Sequence, residues 1–182
     1  MQLKKLKPIT QITAISILCA ILVFSYYLSI KSETNPGINP NNNLNLYKTT
    51  VVKINNKHLF QTYIADTPAK QQLGLMYQQE LATDSAMLFT FANSTYQQFW
   101  MKNTLIPLDI IFVNDNKIVD IEHNAKPCRQ DPCPTYNSEK PANQVLEINA
   151  GLSKKLNINI GQDVIVKNGY PKIPEDFSSR IF

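Results

Sequence analysis

From Lys48 onward the apolar residues fall in short runs separated by Asn, Asp, Gly and Pro. KTTVVKIN (48–55) and HLFQTYIA (58–65) flank Asn56-Lys57 and predict a β-hairpin. AMLFTF (86–91) and QQFWM (97–101) predict two more strands. LDIIFV (108–113) and KIVDIEH (117–123) are separated by NDN, a second hairpin signal, and QVLEIN (144–149) and DVIVKN (163–168) complete the set. Two helices interrupt these strands. TPAKQQLGLMYQQEL (67–81) offers Thr67 as N-cap and Pro68 at the first helical position, with Leu73, Leu75, Met76 and Tyr77 as apolar faces and Gly74 as a weak centre. GLSKKLN (151–157) is a short amphipathic helix. The pattern predicts a mainly β domain with short helices (α+β), folded as a small mixed or antiparallel barrel-like sheet.

Upstream the pattern changes. Residues 9–30, ITQITAISILCAILVFSYYLSI, carry no charge, and a helix of that length rises roughly 33 Å at ~1.5 Å per residue, enough to cross a bilayer core. Lys4, Lys5 and Lys7 precede it, so the positive-inside rule leaves residues 1–8 in the cytoplasm and the domain on the extracytoplasmic (periplasmic) side. Tyr26 and Tyr27 suit the interfacial belt at the outer end. The competing readings are signal-peptide cleavage, for which the small-residue positions are poor, and lipidation at Cys19, which Leu18 disfavours. The expected organisation is a single-pass signal anchor (9–30), a flexible Asn/Pro-rich linker (31–46), a globular domain (47–169) and a loosely docked tail (170–182).

Charge supports this division. The chain has 18 basic and 14 acidic residues, and Lys4, Lys5, Lys7 and Lys31 account for all of the net +4. From Ser32 onward the two signs balance, without a basic run to track phosphates, so nucleic acid is not an expected partner. The expected partners are the membrane, through the N-terminal helix, and a small ligand or envelope protein.

Candidate chemistry centres on FWMKNTLIPLDIIFV (99–113). Alternation places Asp109 with Ile111 and Val113, and Glu147 with Val145 and Asn149, so both carboxylates fall in apolar settings. Lys102, Asn103 and Thr104 lie where their strand ends. The functional expectation is a polar cleft built by Trp100, Lys102, Asn103, Asp109 and Glu147, with Lys102, Asn103 and Asp109 in one hydrogen-bonded cluster and Pro107 fixing the approach to the next strand. Two carboxylates in different environments could divide acid and base roles, as hydrolysis of envelope glycans or peptides requires. The blander alternative is structural: Asp109 accepts backbone N–H bonds at a turn, Glu147 pairs with Lys102, and the domain is an envelope adaptor.

PCRQDPCP places Cys128 and Cys133 around a short loop, which outside the cytoplasm predicts a structural disulfide. Zinc with His123, or redox chemistry, is the alternative, although the spacing exceeds that of most zinc knuckles and of Cys-x-x-Cys pairs. His58 belongs to no nucleophile motif, Met76, Met87 and Met101 read as core filler, and neither GxSxG nor a Gly-rich phosphate loop is present. No cofactor and no metal site is expected.

GLMYQQEL (74–81), AMLFTF (86–91), FWMKNTLIPLDIIFV (99–113), PCRQDPCPTYNS (127–138) and VLEINAG (145–151), in that order, resemble the family called domain of unknown function 192. The likeness runs from about Val52 to about Lys167, and FWMKNTLIPLDI is its most specific block. It implies a compact β-rich domain, often secreted or membrane-tethered, with no established reaction, cofactor or ligand. The chain departs from the family pattern at Gln78, where Arg is common, and at Ala86, where Gly is common.

Overall fold

The structure is a computed structural model that describes residues 43–167. A 3-10 turn (Asn43–Leu46) leads into β1 (Lys48–Ile54) and β2 (His58–Ala65), followed by α1 (Pro68–Leu73), β3 (Ser85–Thr95) and β4 (Gln98–Trp100). Then come β5 (Leu108–Asn114), β6 (Lys117–Ala125), β7 (Thr135–Asn137), β8 (Ala142–Asn149), α2 (Leu152–Lys155) and β9 (Val164–Lys167). The expected mainly β, α+β class is what forms.

Seven strands make one sheet in the order β6-β5-β8-β3-β2-β1-β9, and β4 pairs with β7 in a separate two-stranded sheet. Every pair in the large sheet is antiparallel except β2–β3. A parallel pair needs a crossover, and α1 lies in that connection. The ends of the sheet approach each other. Ile118 N–H donates to Gln162 O, Gly161 N–H to Ile118 O and Val164 N–H to Asn116 O, while Lys117 and Asp163 form an ion pair at 2.6 Å. These bonds curl the sheet into a half-barrel and cover part of its edges, which would otherwise invite pairing with other chains.

Both hairpins have a local cause. Asp115 and Asn116 adopt φ values of 46° and 64°, and Asn55 and Asn56 adopt 50° and 54°. Asn and Asp tolerate this left-handed region because their short polar side chains bond locally. The central strands β5, β8 and β3 are buried on both faces, so alternation splits them between two cores. Met87, Phe89, Leu108, Ile110, Phe112 and Val145 build one layer. Ala86, Leu88, Ile111, Val113, Leu146 and Ile148 build the other, where Leu152 and Ile158 also pack.

Several expectations change. The helix expected over 67–81 stops at Leu73, although Thr67 caps it as anticipated by accepting from Lys70 N–H. Gly74 ends it at φ +47°, where a Cβ would lie 3.3 Å from the Phe89 ring, and Tyr77 turns the chain again at φ 65°. The strand expected over 97–101 shortens to β4 and leaves the main sheet. The linker expected over 31–46 ends early, because Asn43–Leu46 docks on the domain: Asn43 is buried, donates to Met76 O and accepts from the Gln78 amide. The anchor expected over 9–30 and the tail expected from Tyr170 lie outside the described residues. No helix among the described residues is long and apolar enough to cross a membrane.

Candidate functional site

The register of β5 against β8 decides where the two carboxylates go. Ile110 stands opposite Glu147, and Asp109 stands opposite Ile148. Directly paired residues point to the same side of a sheet, so Glu147 and Asp109 project from opposite faces. One cleft cannot hold both, and the division of acid and base roles between them is corrected by the pleat.

Asp109 is fully buried and fully occupied. Oδ1 accepts from Asn124 N–H at 2.8 Å and Gly151 N–H at 3.0 Å. Oδ2 accepts from Ser153 N–H at 2.9 Å and from the Ser153 hydroxyl at 2.6 Å. Burial works to raise its pKa, but the Ser153 hydroxyl and the three backbone N–H groups outweigh it and hold the carboxyl below its ordinary value. Asp109 therefore ties the end of β6 and the start of α2 to β5. The expected Lys102–Asn103–Asp109 cluster does not form, because the turn after β4 carries Lys102 and Asn103 elsewhere.

Glu147 is the opposite case. It is 5% exposed, and burial alone pushes its carboxyl up to about 8. Among the described residues no hydrogen bond offsets that desolvation, and Glu147 does not pair with Lys102, whose ion pair is with Asp131. Tyr47 lies near enough for the Glu147 charge to raise its phenol, after burial, and the Tyr47 hydroxyl donates to Gly74 O at 3.0 Å. At neutral pH Glu147 is mostly a neutral carboxylic acid, able to donate one hydrogen bond or a proton. It faces a cleft of about 30 Å³, walled by the end of α1 (Gln71, Gly74), by Phe89 and Phe99, and by Trp100 and Thr104. That space holds about one water molecule or one hydroxyl or carbonyl oxygen.

Of the sequence candidates, Trp100 and Glu147 therefore meet at one cleft, and Asp109 does not belong to it. Trp100 is 42% exposed. The Lys102 ammonium lies 5.4 Å from its ring centroid and 3.8 Å from the exposed Asp131 carboxylate. Asn103, at φ 56°, accepts from Tyr77 N–H through its backbone carbonyl and donates through its side-chain amide to the Tyr77 hydroxyl at 2.9 Å. Lys102 thus flanks the Trp100 ring, whereas Asn103 is tied to Tyr77, and neither lines the cleft itself. The Gln71 wall was not legible in sequence, because it depends on how α1 packs against β3. Its amide donates to Thr90 O, which fixes that wall to β3.

Cys128 and Cys133 form a disulfide, so neither is a thiolate for zinc. Among the described residues no group of three or more potential ligands could hold a metal ion. His123 instead bonds Ser153, with Nδ1 2.9 Å from the hydroxyl oxygen. His58 is half-buried, and burial followed by the Lys57 charge lowers its pKa against an opposing hydrogen bond from the ring to the Leu156 backbone. Gln78 is buried and bonded to Asn43, a structural link rather than an anion contact. Met87 and Met101 are core residues.

Fold and site together define a half-barrel β domain with a buried acid opening beside a tryptophan. Residues 50–166 match the DUF192 family, described as "Uncharacterized ACR", and the chain belongs to that family. Two crystal structures are similar. One is described as a "putative transcription regulator" from Sinorhizobium meliloti, with 32% identity over 66% of this chain and 95% of that one, at a TM-score of 0.61. The other is a protein of unknown function from Novosphingobium aromaticivorans, with 36% identity over 64% of this chain and 84% of that one, at a TM-score of 0.60. No curated protein matches the chain.

Proposed function

We propose that this protein is a membrane-tethered, extracytoplasmic binding domain. It takes a small neutral ligand at the Trp100–Glu147 cleft, through a hydroxyl or carbonyl oxygen that accepts the Glu147 proton in a hydrogen bond. The observation that carries the reading is a desolvated carboxyl without a hydrogen bond among the described residues, opening to a space the size of one oxygen beside a half-exposed indole. Functional clefts concentrate such groups. The Trp100 ring offers an apolar platform for the body of the ligand, and the Lys102 ammonium lies beside it. The uncharged 9–30 segment behind a basic N-terminus supports the tether, and the Cys128–Cys133 bond suits an oxidising compartment. The balanced charge beyond Ser32 gives the domain no net positive charge to draw nucleic acid, which favours a small neutral ligand.

Trp100 is the sole tryptophan, so its fluorescence reports on the site directly. The test titrates the full chain, in detergent, with neutral N-acetylated saccharides, whose acetamido carbonyl has the required size and acceptor character. Saturable quenching should weaken as pH rises through about 8, and Glu147→Gln should remove that pH dependence while keeping a donor. Absence of a fluorescence response, or a response unchanged in Glu147→Leu, would argue for an envelope adaptor with an idle cleft.

A further inference from the structure

The other face of the sheet carries a second, larger cavity of about 570 Å³, bordered by Ile121, His123, Ser153, Lys154, Ile158 and Ile160. Its floor is the network that ends at Asp109. Proton accounting fixes the direction of that network. Asp109 accepts four hydrogen bonds and is held in its charged form, so the Ser153 hydroxyl hydrogen goes to Oδ2 at 2.6 Å. The Ser153 oxygen then meets His123 as an acceptor, and Nδ1 of the imidazole must carry the hydrogen across the 2.9 Å contact. In the neutral ring this leaves the lone pair on Nε2, which has no hydrogen-bond partner among the described residues. The order Asp–Ser–His makes Ser153 a link that orients the imidazole, and its own burial keeps it from acting as a nucleophile.

We propose that this cavity is a second ligand site, specific for a small 2-hydroxy or 2-amino carboxylic acid with an aliphatic body. The O–H or N–H donor of the ligand meets His123 Nε2. Its carboxylate meets Lys154, which makes no ion pair among the described residues and is exposed at the border of the cavity. Its aliphatic body lies among Ile121, Ile158 and the 59%-exposed Ile160. The volume falls within the range of small-molecule sites, and an apolar wall with a few convergent polar groups is their usual make-up.

The test uses the full chain in detergent, with nitrogen-15 histidine, assigned through His58→Gln. The probes are 2-hydroxy-4-methylpentanoate and 4-methylpentanoate, which differ only in the donor. His123 should be the Nδ1–H tautomer. The hydroxy acid should shift its Nε2 resonance saturably, and the acid lacking the hydroxyl should bind about tenfold more weakly. Lys154→Gln should weaken the hydroxy acid about fivefold without changing the tautomer. An Nε2–H tautomer, an equal response to both acids, or no response to either overturns the proposal.

Discussion

Asp109 and Glu147 sit on neighbouring strands of one sheet, one register step apart, and the protein treats them in opposite ways. On one face, three backbone N–H groups and a hydroxyl converge on Asp109 and stabilise its charge. On the other, burial desolvates Glu147 without a compensating hydrogen bond among the described residues, which stabilises its neutral form. Burial is common to both and so cannot explain the difference. The supply of hydrogen-bond donors decides it: the loops around α2 turn their N–H groups toward Asp109, while strands spend theirs on the sheet ladder that surrounds Glu147. A buried carboxylate with all its lone pairs used is a fastener. A buried acid with none used, beside an opening, is available to a ligand.

The largest expected effect comes from breaking the fastener. Asp109→Asn puts an amide NH2 against N–H donors and should cost about 3 kcal/mol or more, read from denaturant unfolding at neutral pH. A loss under 1 kcal/mol would mean that the two faces are not so different. The pH dependence of stability sharpens the contrast, because the two groups act with opposite sign. Glu147 has its folded pKa raised from 4.5 to about 8, so between those values the folded state holds a proton that the unfolded state has lost. Its contribution is present at low pH and falls by about 1.4 kcal/mol per pH unit until the folded pKa is passed. Asp109, with its folded pKa lowered, contributes stability above its unfolded pKa and loses it as pH falls through the folded value. Glu147→Gln should flatten the alkaline limb and leave the acid limb intact; a profile identical to wild type would mean that Glu147 is not held neutral in the folded protein.

Smaller effects test the frame around each face. Cys128 N–H donates to Met101 O, so the disulfide loop is tied to the chain that carries Lys102 and Asn103. Replacing both cysteines by Ser should cost about 2 kcal/mol, the entropy of closing so short a loop, with the Asp109 acid limb unchanged. Thr67→Ala should cost about 1 kcal/mol through the lost cap of α1. Since the end of α1 walls the cleft, fraying it should admit water and move the midpoint of the Glu147 limb downward. A midpoint that stays in place would show that α1 does not keep Glu147 dry.

Much of the fold was legible because its signals are local. Alternation marked the strands, Asn and Asp in left-handed turns marked the hairpins, and Thr67-Pro68 marked where α1 begins. Alternation also assigned Asp109 to the face of Ile111 and Val113, and Glu147 to that of Val145. Misreadings came where long-range contacts overrode local pattern. Gly74 leaves the helix at positive φ with the Phe89 ring packed close against it, Met76 and Gln78 hold Asn43 against the domain, and β4 pairs with β7 outside the main sheet.

The sequence by itself determined the strand pattern, the hairpins, the family and the apolar setting of both carboxylates, because each is written in residues near one another in the chain. Only the tertiary structure decided that the two carboxylates are separated by the sheet, since their relative face depends on the β5–β8 register, which no local pattern contains. It also decided which carboxylate would be charged, because the donors for Asp109 come from Asn124, Gly151 and Ser153, brought together only when β6 and α2 close over β5.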